Sequence, residues 1–376
     1  MRRRLGALTT TLLLLAACSS DDDGGGGLSG GGGDGVEAML GSLPIPSSVD
    51  EDATLVVAYG DLARAARLAG VELPESPDAA AFEEQIAAIG AITGQQVSDD
   101  GERAPVAVVP PEAAHVEQLI DVEAFVDDVG WSVFDVRRYV ELQAPPDNVT
   151  VMEGGFDEAR ITEALGEPDG GVWTAGDTEG LDIANTTPAR PLGEPLWLAL
   201  DDDRLVVTHA ADEMEAVQGG GSGTPTVADD DVMVALAGAV DDADVYSALL
   251  YRGTLSFDFA SGVETPEQVE EQCADALQEP FAGVATAIAD DDGPVFVIAY
   301  VHADADAAEA NAETLQGVVD EGSSLRTGEP WSEQLEVDEI ATDGPVLTAR
   351  LRPIDPARTA MWQQLVLQRD NLVTYC

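Results

Sequence analysis

The chain has 376 residues and a formal net charge of −55, from 72 acidic residues against 17 basic ones, all of them arginine. A field of that sign repels nucleic-acid phosphates and anionic headgroups, so nucleic-acid binding is excluded and charge alone would not hold the chain at a membrane. Hydrophobic residues make up 45% of the sequence but aromatic ones only 5%, enough for a sizeable core that must be mainly aliphatic.

The first segment carries the clearest pattern. Arg2, Arg3 and Arg4 precede an apolar run from Leu5 to Leu15, which is too short to span a bilayer as a helix and has the layout of a signal peptide. Small residues Ala16 and Ala17 then lead to Cys18. The run Leu15-Ala16-Ala17-Cys18 resembles the lipobox of bacterial lipoproteins. That resemblance implies removal of residues 1–17, a diacylglyceryl group on the Cys18 sulfur and an extracytoplasmic protein anchored to the cell membrane; two acyl chains suffice for stable anchoring. Residues 18–35, rich in Gly, Ser and Asp, have almost nothing to bury and read as a flexible tether. The glycines do not form a phosphate loop, because no Lys-Ser/Thr follows them. Loss of Arg2 to Arg4 with the leader leaves 14 arginines against 72 acids, a net charge of −58. Lysine-free, Ala-, Gly- and Arg-rich usage resembles that of actinobacterial genomes.

Beyond the tether, Thr54–Tyr59 reads as a buried strand passing through Gly60-Asp61 into a helix from Leu62 to Ala69, stopped by Gly70. Phe82, Ile86, Ile89 and Thr93 share a helical face. Trp131 to Leu142 is expected to be helical after Ser132, ending at Pro145-Pro146. Val149–Met152 reads as a strand before a helix capped by Asp157, with Phe156 and Ile161 placed as a hydrophobic staple and Gly166 as the stop.

A weak repeat follows. Leu196–Leu200 and Leu205–Thr208 flank Asp201–Asp203 and lead to a helix near His209–Val217. Val284–Ala289 and Val295–Val301 flank Asp290–Asp292 and lead to a helix through Ala308, Ala312, Leu315 and Val319. Asp343-Gly344 then marks one more hairpin. Hairpins alternating with helices indicate an α+β fold, with antiparallel sheets and helices on one face, and two ferredoxin-like halves are one arrangement that fits. Gly219–Gly223 is the natural boundary, giving halves at 36–222 and 223–376, or one continuous domain.

With Cys18 lipidated, Cys273 and Cys376 are left as a pair in an oxidising compartment, and a disulfide between them would staple the C-terminus to a helix around Val269–Leu277. The three histidines are His115, His209 and His302. His209 and His302 each end a strand before a helix, near Asp212 and near Asp304 and Asp306. A pseudo-twofold could bring His209, His302, Asp304 and Asp306 together as a metal site, although Asp304 or Asp306 at a helix start is also an ordinary cap. The Asp triplets at 201–203, 229–231 and 290–292 have the oxygen chemistry for Ca²⁺ or another divalent cation but not the spacing of the twelve-residue loop. No cofactor is otherwise implied. No Gly-x-Ser-x-Gly occurs. The sequence therefore points to a non-catalytic binding or envelope-maintenance module whose partners are the bilayer, through Cys18, and a basic or envelope protein. A carboxylate- or metal-dependent extracytoplasmic hydrolase is the alternative.

Overall fold

A computed structural model describes residues 35–46, 49, 53–74, 82–94, 106–114, 122–144, 147–176, 180–219, 224–253, 255, 273 and 276–376. The described elements, in chain order, are α1 (Val36–Leu40), β1 (Leu55–Asp61), α2 (Leu62–Ala69), α3 (Phe82–Ile92), α4 (Val122–Val129), β2 (Val136–Ala144), β3 (Asp147–Gly154), α5 (Glu158–Leu165), β4 (Val172–Ala175), β5 (Leu196–Asp201), β6 (Arg204–Thr208), α6 (Ala211–Gln218), α7 (Asp231–Asp241), β7 (Val245–Arg252), β8 (Phe281–Asp290), β9 (Pro294–His302), α8 (Ala305–Glu321), β10 (Leu335–Asp343), β11 (Val346–Pro353) and α9 (Met361–Leu367). The fold is α+β, built among the described residues on one antiparallel sheet of 11 strands in the order β10-β11-β9-β8-β7-β1-β2-β3-β6-β5-β4.

That order contains a repeat. Counting outward from the centre, β7-β8-β9-β11-β10 and β1-β2-β3-β6-β5 follow the same plan: one strand, a long connection, a hairpin, a helix (α8 or α5) and a second hairpin. β1 and β7 pair antiparallel, from Leu55↔Arg252 to Gly60↔Ser247, so a pseudo-twofold axis runs between them. β4 is an addition at the outer edge of the first unit. Each unit is thus a series of hairpins, in place of the ferredoxin-like halves expected from the sequence. The sheet also runs without a break across the 222/223 boundary.

Helices cover both faces, which corrects the one-face expectation. In β9, Phe296, Ile298 and Tyr300 face one core with α2–α5, α8 and α9. Val295, Val297, Ala299 and Val301 face a second core with α1, α6 and α7. Strands buried on both faces carry unbroken apolar runs, so Val295–Val301 shows no polar alternation to reveal a wet face.

Local chemistry sets the ends of the elements. Asp61 accepts a 2.7 Å bond from the Arg64 amide at the start of α2, and Gly70 closes that helix at φ 66°. Asp157 caps α5 through the Ala159 amide at 2.9 Å, and Phe156 lies edge-on to Trp131. Asp230, within one acidic triplet, caps α7 through the Val232 and Met233 amides. The α7 carboxylate Asp241 in turn receives the Val36 and Glu37 amides at 2.8 and 2.9 Å, fastening α1.

The helix expected over Trp131–Leu142 does not form. Ser132 does begin a helical turn, with its amide 2.7 Å from Asp135 Oδ2, but the turn covers only Val133–Asp135 before β2 begins. Cross-strand pairing decides the outcome: Arg138 Nε donates to Glu153 Oε2 at 2.6 Å, and Tyr139, Val140 and Leu142 are buried between β1 and β3.

Candidate functional site

A cleft of about 670 Å³ opens at one end of the first unit, where the β2–β3 hairpin, the start of β5 and the junction of β6 with α6 meet the 180–195 loop. Its apolar wall is Trp197, Pro195, Leu181 and Leu192, and its polar wall is Glu112, Gln143, Asp147, Asn148, Glu194 and His209. Leu181 and Leu192 are 66% and 67% exposed. The loop that bears them is pinned: the Asp182 amide bonds the Gly193 carbonyl at 2.9 Å. Gly193 sits at φ 71°, where a Cβ would lie 2.2 Å from the Asp182 carbonyl oxygen, so only glycine fits.

Two buried glutamates stand behind this surface. Glu141 lies between Val140 and Leu142 on β2. It accepts from Gln143 Nε2 at 2.6 Å, Thr150 Oγ1 at 2.9 Å and the Glu112 amide at 3.0 Å. Glu213, on the first turn of α6, accepts from the His209 and Ala210 amides at 3.1 Å each and from the Asn148 amide at 3.2 Å. Burial pushes the pKa of each up to about 7, against the hydrogen bonds that favour the ionised form. Glu213 thereby fastens α6 to the start of β3, and Glu141 fastens the segment at Glu112 to β2. Neither glutamate belongs to the expected site. The sequence signals for them are faint: a lone acid inside an apolar strand, and a glutamate three residues past a helix start.

His209 lies on the cleft wall, but His302 does not join it. His302 ends β9 and His209 follows β6, with five strands between those two. At about 4.8 Å per strand spacing the histidines are on the order of 25–30 Å apart. His302 is buried and accepts at Nε2 from Asn311 Nδ2 at 2.9 Å, while burial lowers its pKa. Asp304 caps α8 through the Ala307 amide at 3.0 Å, and Asp306 is exposed on the first turn. The four residues therefore do not converge, and among the described residues no group of three His, Cys, Asp or Glu side chains is arranged to hold a metal. The acidic triplets act in turns, caps and ion pairs: Asp203 meets Arg137, Asp230 meets Arg252, and Asp291 meets Arg350 and Arg352.

Cys273 and Cys376 form a disulfide, with Cα atoms 5.7 Å apart. The Cys376 amide also bonds the Leu277 carbonyl at 2.9 Å, so the C-terminus is held by backbone as well as sulfur. Cys18, His115 and most of Val269–Leu277 lie outside the described residues.

No family model matches the chain, and neither does any curated protein or solved structure. The described helices include none long and apolar enough to cross a membrane.

Proposed function

We propose that this chain is an extracytoplasmic lipoprotein, anchored through acylated Cys18, whose folded part binds a small ligand in the cleft without transforming it. The N-terminal pattern of arginines, apolar run, small residues and cysteine supports the placement. The observation that carries the binding reading is the cleft itself. It is concave, of ligand size, and walled by Trp197 and two leucines that a pinned loop holds open to solvent.

The glutamates with near-neutral pKa do not favour the hydrolase alternative. Their carboxylates are engaged by hydrogen bonds that tie elements together, and neither side chain lines the cleft. A general acid or base needs hydrogen-bond reach to substrate.

A thermal-shift screen of the full chain against small amines, carboxylates, sugars and metal ions tests this reading. A ligand present at 100 times its Kd adds about 2.7 kcal/mol to apparent stability. The expected result is a rise in Tm for one chemical class, abolished by Leu181→Ser/Leu192→Ser, with the ligand recovered unchanged. Turnover of a stabilising compound, or a rise in Tm that survives the double substitution, would overturn it.

A further inference from the structure

The polar wall of the cleft is fastened to the two buried glutamates behind it. Glu141 and Glu213 are only 1% and 3% exposed. Between them they accept hydrogen bonds from five residues that line the cleft. Glu141 takes the Glu112 amide and Gln143 Nε2, and Glu213 takes the Asn148, His209 and Ala210 amides. These residues come from three separate places: the turn at Glu112–Ala114, the β2–β3 hairpin and the start of α6. The position of the wall therefore depends on the state of two carboxyl groups.

Opposing effects act on those carboxyls. Burial favours the neutral acid, and the nearest charges push the same way, Glu112 on Glu141 and Asp147 on Glu213. The bonding partners, Thr150 Oγ1 among them, are all donors and favour the ionised form. The other surroundings carry no compensating cation. β1 and β3 set Ala58 and Thr150 opposite Glu141, and Tyr139 is the further titratable group near it. Beyond its first turn, α6 shares a core with Ala199 and Val206 of β5 and β6. Neither glutamate is paired with an arginine among the described residues.

Both acids that oppose ionisation, Glu112 and Asp147, themselves line the cleft. An apolar body laid along Trp197, Pro195 and the two leucines displaces water from that wall. Screening between Glu112 and Glu141, and between Asp147 and Glu213, then falls. Ionisation behind the wall becomes harder once the cleft is filled.

We propose that filling the cleft is coupled to proton uptake by Glu141 and Glu213, so that the site loads in mildly acidic surroundings and releases its ligand as the pH rises. Each proton comes from solvent and forms an O–H bond on a carboxylate; no other covalent bond changes. This proposal rests on the reading of the cleft as a binding site. Moving the midpoint of one glutamate from about 7 to about 8 on binding makes affinity about fivefold tighter at pH 6 than at pH 8.

The test is fluorescence titration of the full chain carrying Cys18→Ser with N-phenyl-1-naphthylamine, an apolar probe that is neutral from pH 6 to pH 8. The expected result is binding that Leu181→Ser/Leu192→Ser removes, with a Kd about fivefold lower at pH 6 than at pH 8. Calorimetry at pH 7 in two buffers of different ionisation enthalpy should show net proton uptake. Glu141→Gln and Glu213→Gln should each reduce the pH effect and together abolish it. Carboxyl carbon shifts of the chain with both glutamates intact should show their midpoints rising when the probe binds, a readout that does not require either variant to fold.

A Kd that is the same at pH 6 and pH 8, or net proton release, would overturn the coupling while leaving the binding cleft intact. A pH effect that survives both glutamine substitutions would assign it to another group, His209 included, and would overturn it equally. A probe that does not bind, or that binds as well after the leucine substitutions, would overturn both the coupling and the cleft as a small-ligand site.

Discussion

Replacing Asn311 by leucine removes the polar atoms at the centre of one buried network while keeping the side-chain volume. Asn311 is fully buried on α8. Its Oδ1 accepts from the Gln278 and Glu279 amides at 3.2 and 3.0 Å, and its Nδ2 donates to the Glu279 carbonyl at 2.8 Å and to His302 Nε2 at 2.9 Å. Four hydrogen bonds at about 1 kcal/mol net each, with the partners left buried, put the loss at about 3–5 kcal/mol. That is a large share of a typical stability of about 5–15 kcal/mol. Urea unfolding followed by circular dichroism measures it, and a loss below about 1 kcal/mol would refute the reasoning.

The same geometry fixes a tautomer. The two amides from residues 278 and 279 hold Asn311 with Oδ1 towards them, so Nδ2 must donate to His302. Its Nε2 is then the acceptor, and the ring proton sits on Nδ1, towards the Pro345 carbonyl at 3.4 Å. Protonating His302 would set two donors against each other, and burial also disfavours the charge, despite Glu279 and Asp304 nearby. With the folded pKa below the ordinary 6.5, the contribution to stability is present above pH 6.5 and is lost as pH falls towards the folded value. Nitrogen chemical shifts of the imidazole report both features. A wild-type His302 protonated at Nε2, or titrating at or above 6.5, would contradict the assignment. Asn311→Asp should raise its pKa, because a carboxylate oxygen then faces Nε2.

Three further outcomes are expected. Glu141 and Glu213 have folded pKa values raised from 4.5 to about 7, so their contribution is fully present below pH 4.5 and lost as pH rises through 7; Glu213→Gln should flatten the decline in unfolding free energy between pH 5 and 8, and an unchanged slope would count against the raised value. Cys376→Ser opens a link across a separation of 103 residues, worth about 4–5 kcal/mol in the chain-entropy model and roughly 6 °C in Tm, and calorimetry with and without reductant should agree with the variant. Cys18→Ser should release the protein from the membrane fraction and abolish palmitate labelling; a variant labelled as strongly as wild type would sink the proposed anchor.

The parts of the fold that the sequence disclosed were those governed by local chemistry. Asp61, Gly70, Asp157 and Gly166 bound α2 and α5 as their residue types dictate. The hairpin at Asp343-Gly344 forms with Gly344 at φ 55°. At Trp131–Leu142 the capping residue was legible but the outcome was not, because whether Val136–Ala144 extends or coils depends on β1 and β3, which are distant in sequence. The candidate site was hidden for a related reason. Glu112, Asn148, Trp197 and Leu181 come from four separated segments, and only the sheet order brings them to one rim.

The expected pairing of His209 with His302 sets the repeat out of phase with the sheet. By sequence, the hairpin β5–β6 before α6 resembles β8–β9 before α8. The sheet instead makes β5–β6 the counterpart of β10–β11, and β2–β3 the counterpart of β8–β9. His209 follows the last strand of the first unit, while His302 ends the third strand of the second, so no pseudo-twofold operation superposes them. The correct phase sets the β2–β3 end against the β8–β9 end, and the two differ in their arginines. Arg350 and Arg352 lie on β11, whereas the corresponding strand β6 ends in Val206, Val207 and Thr208. The two units thus share one plan, with arginine-paired acids at one end and an apolar-walled cleft at the other. In a chain of net charge −55 without a single lysine, arginine placement decides which acids are paired within the sheet, and at the β8–β9 end Arg350 and Arg352 pair Asp291 and Asp338.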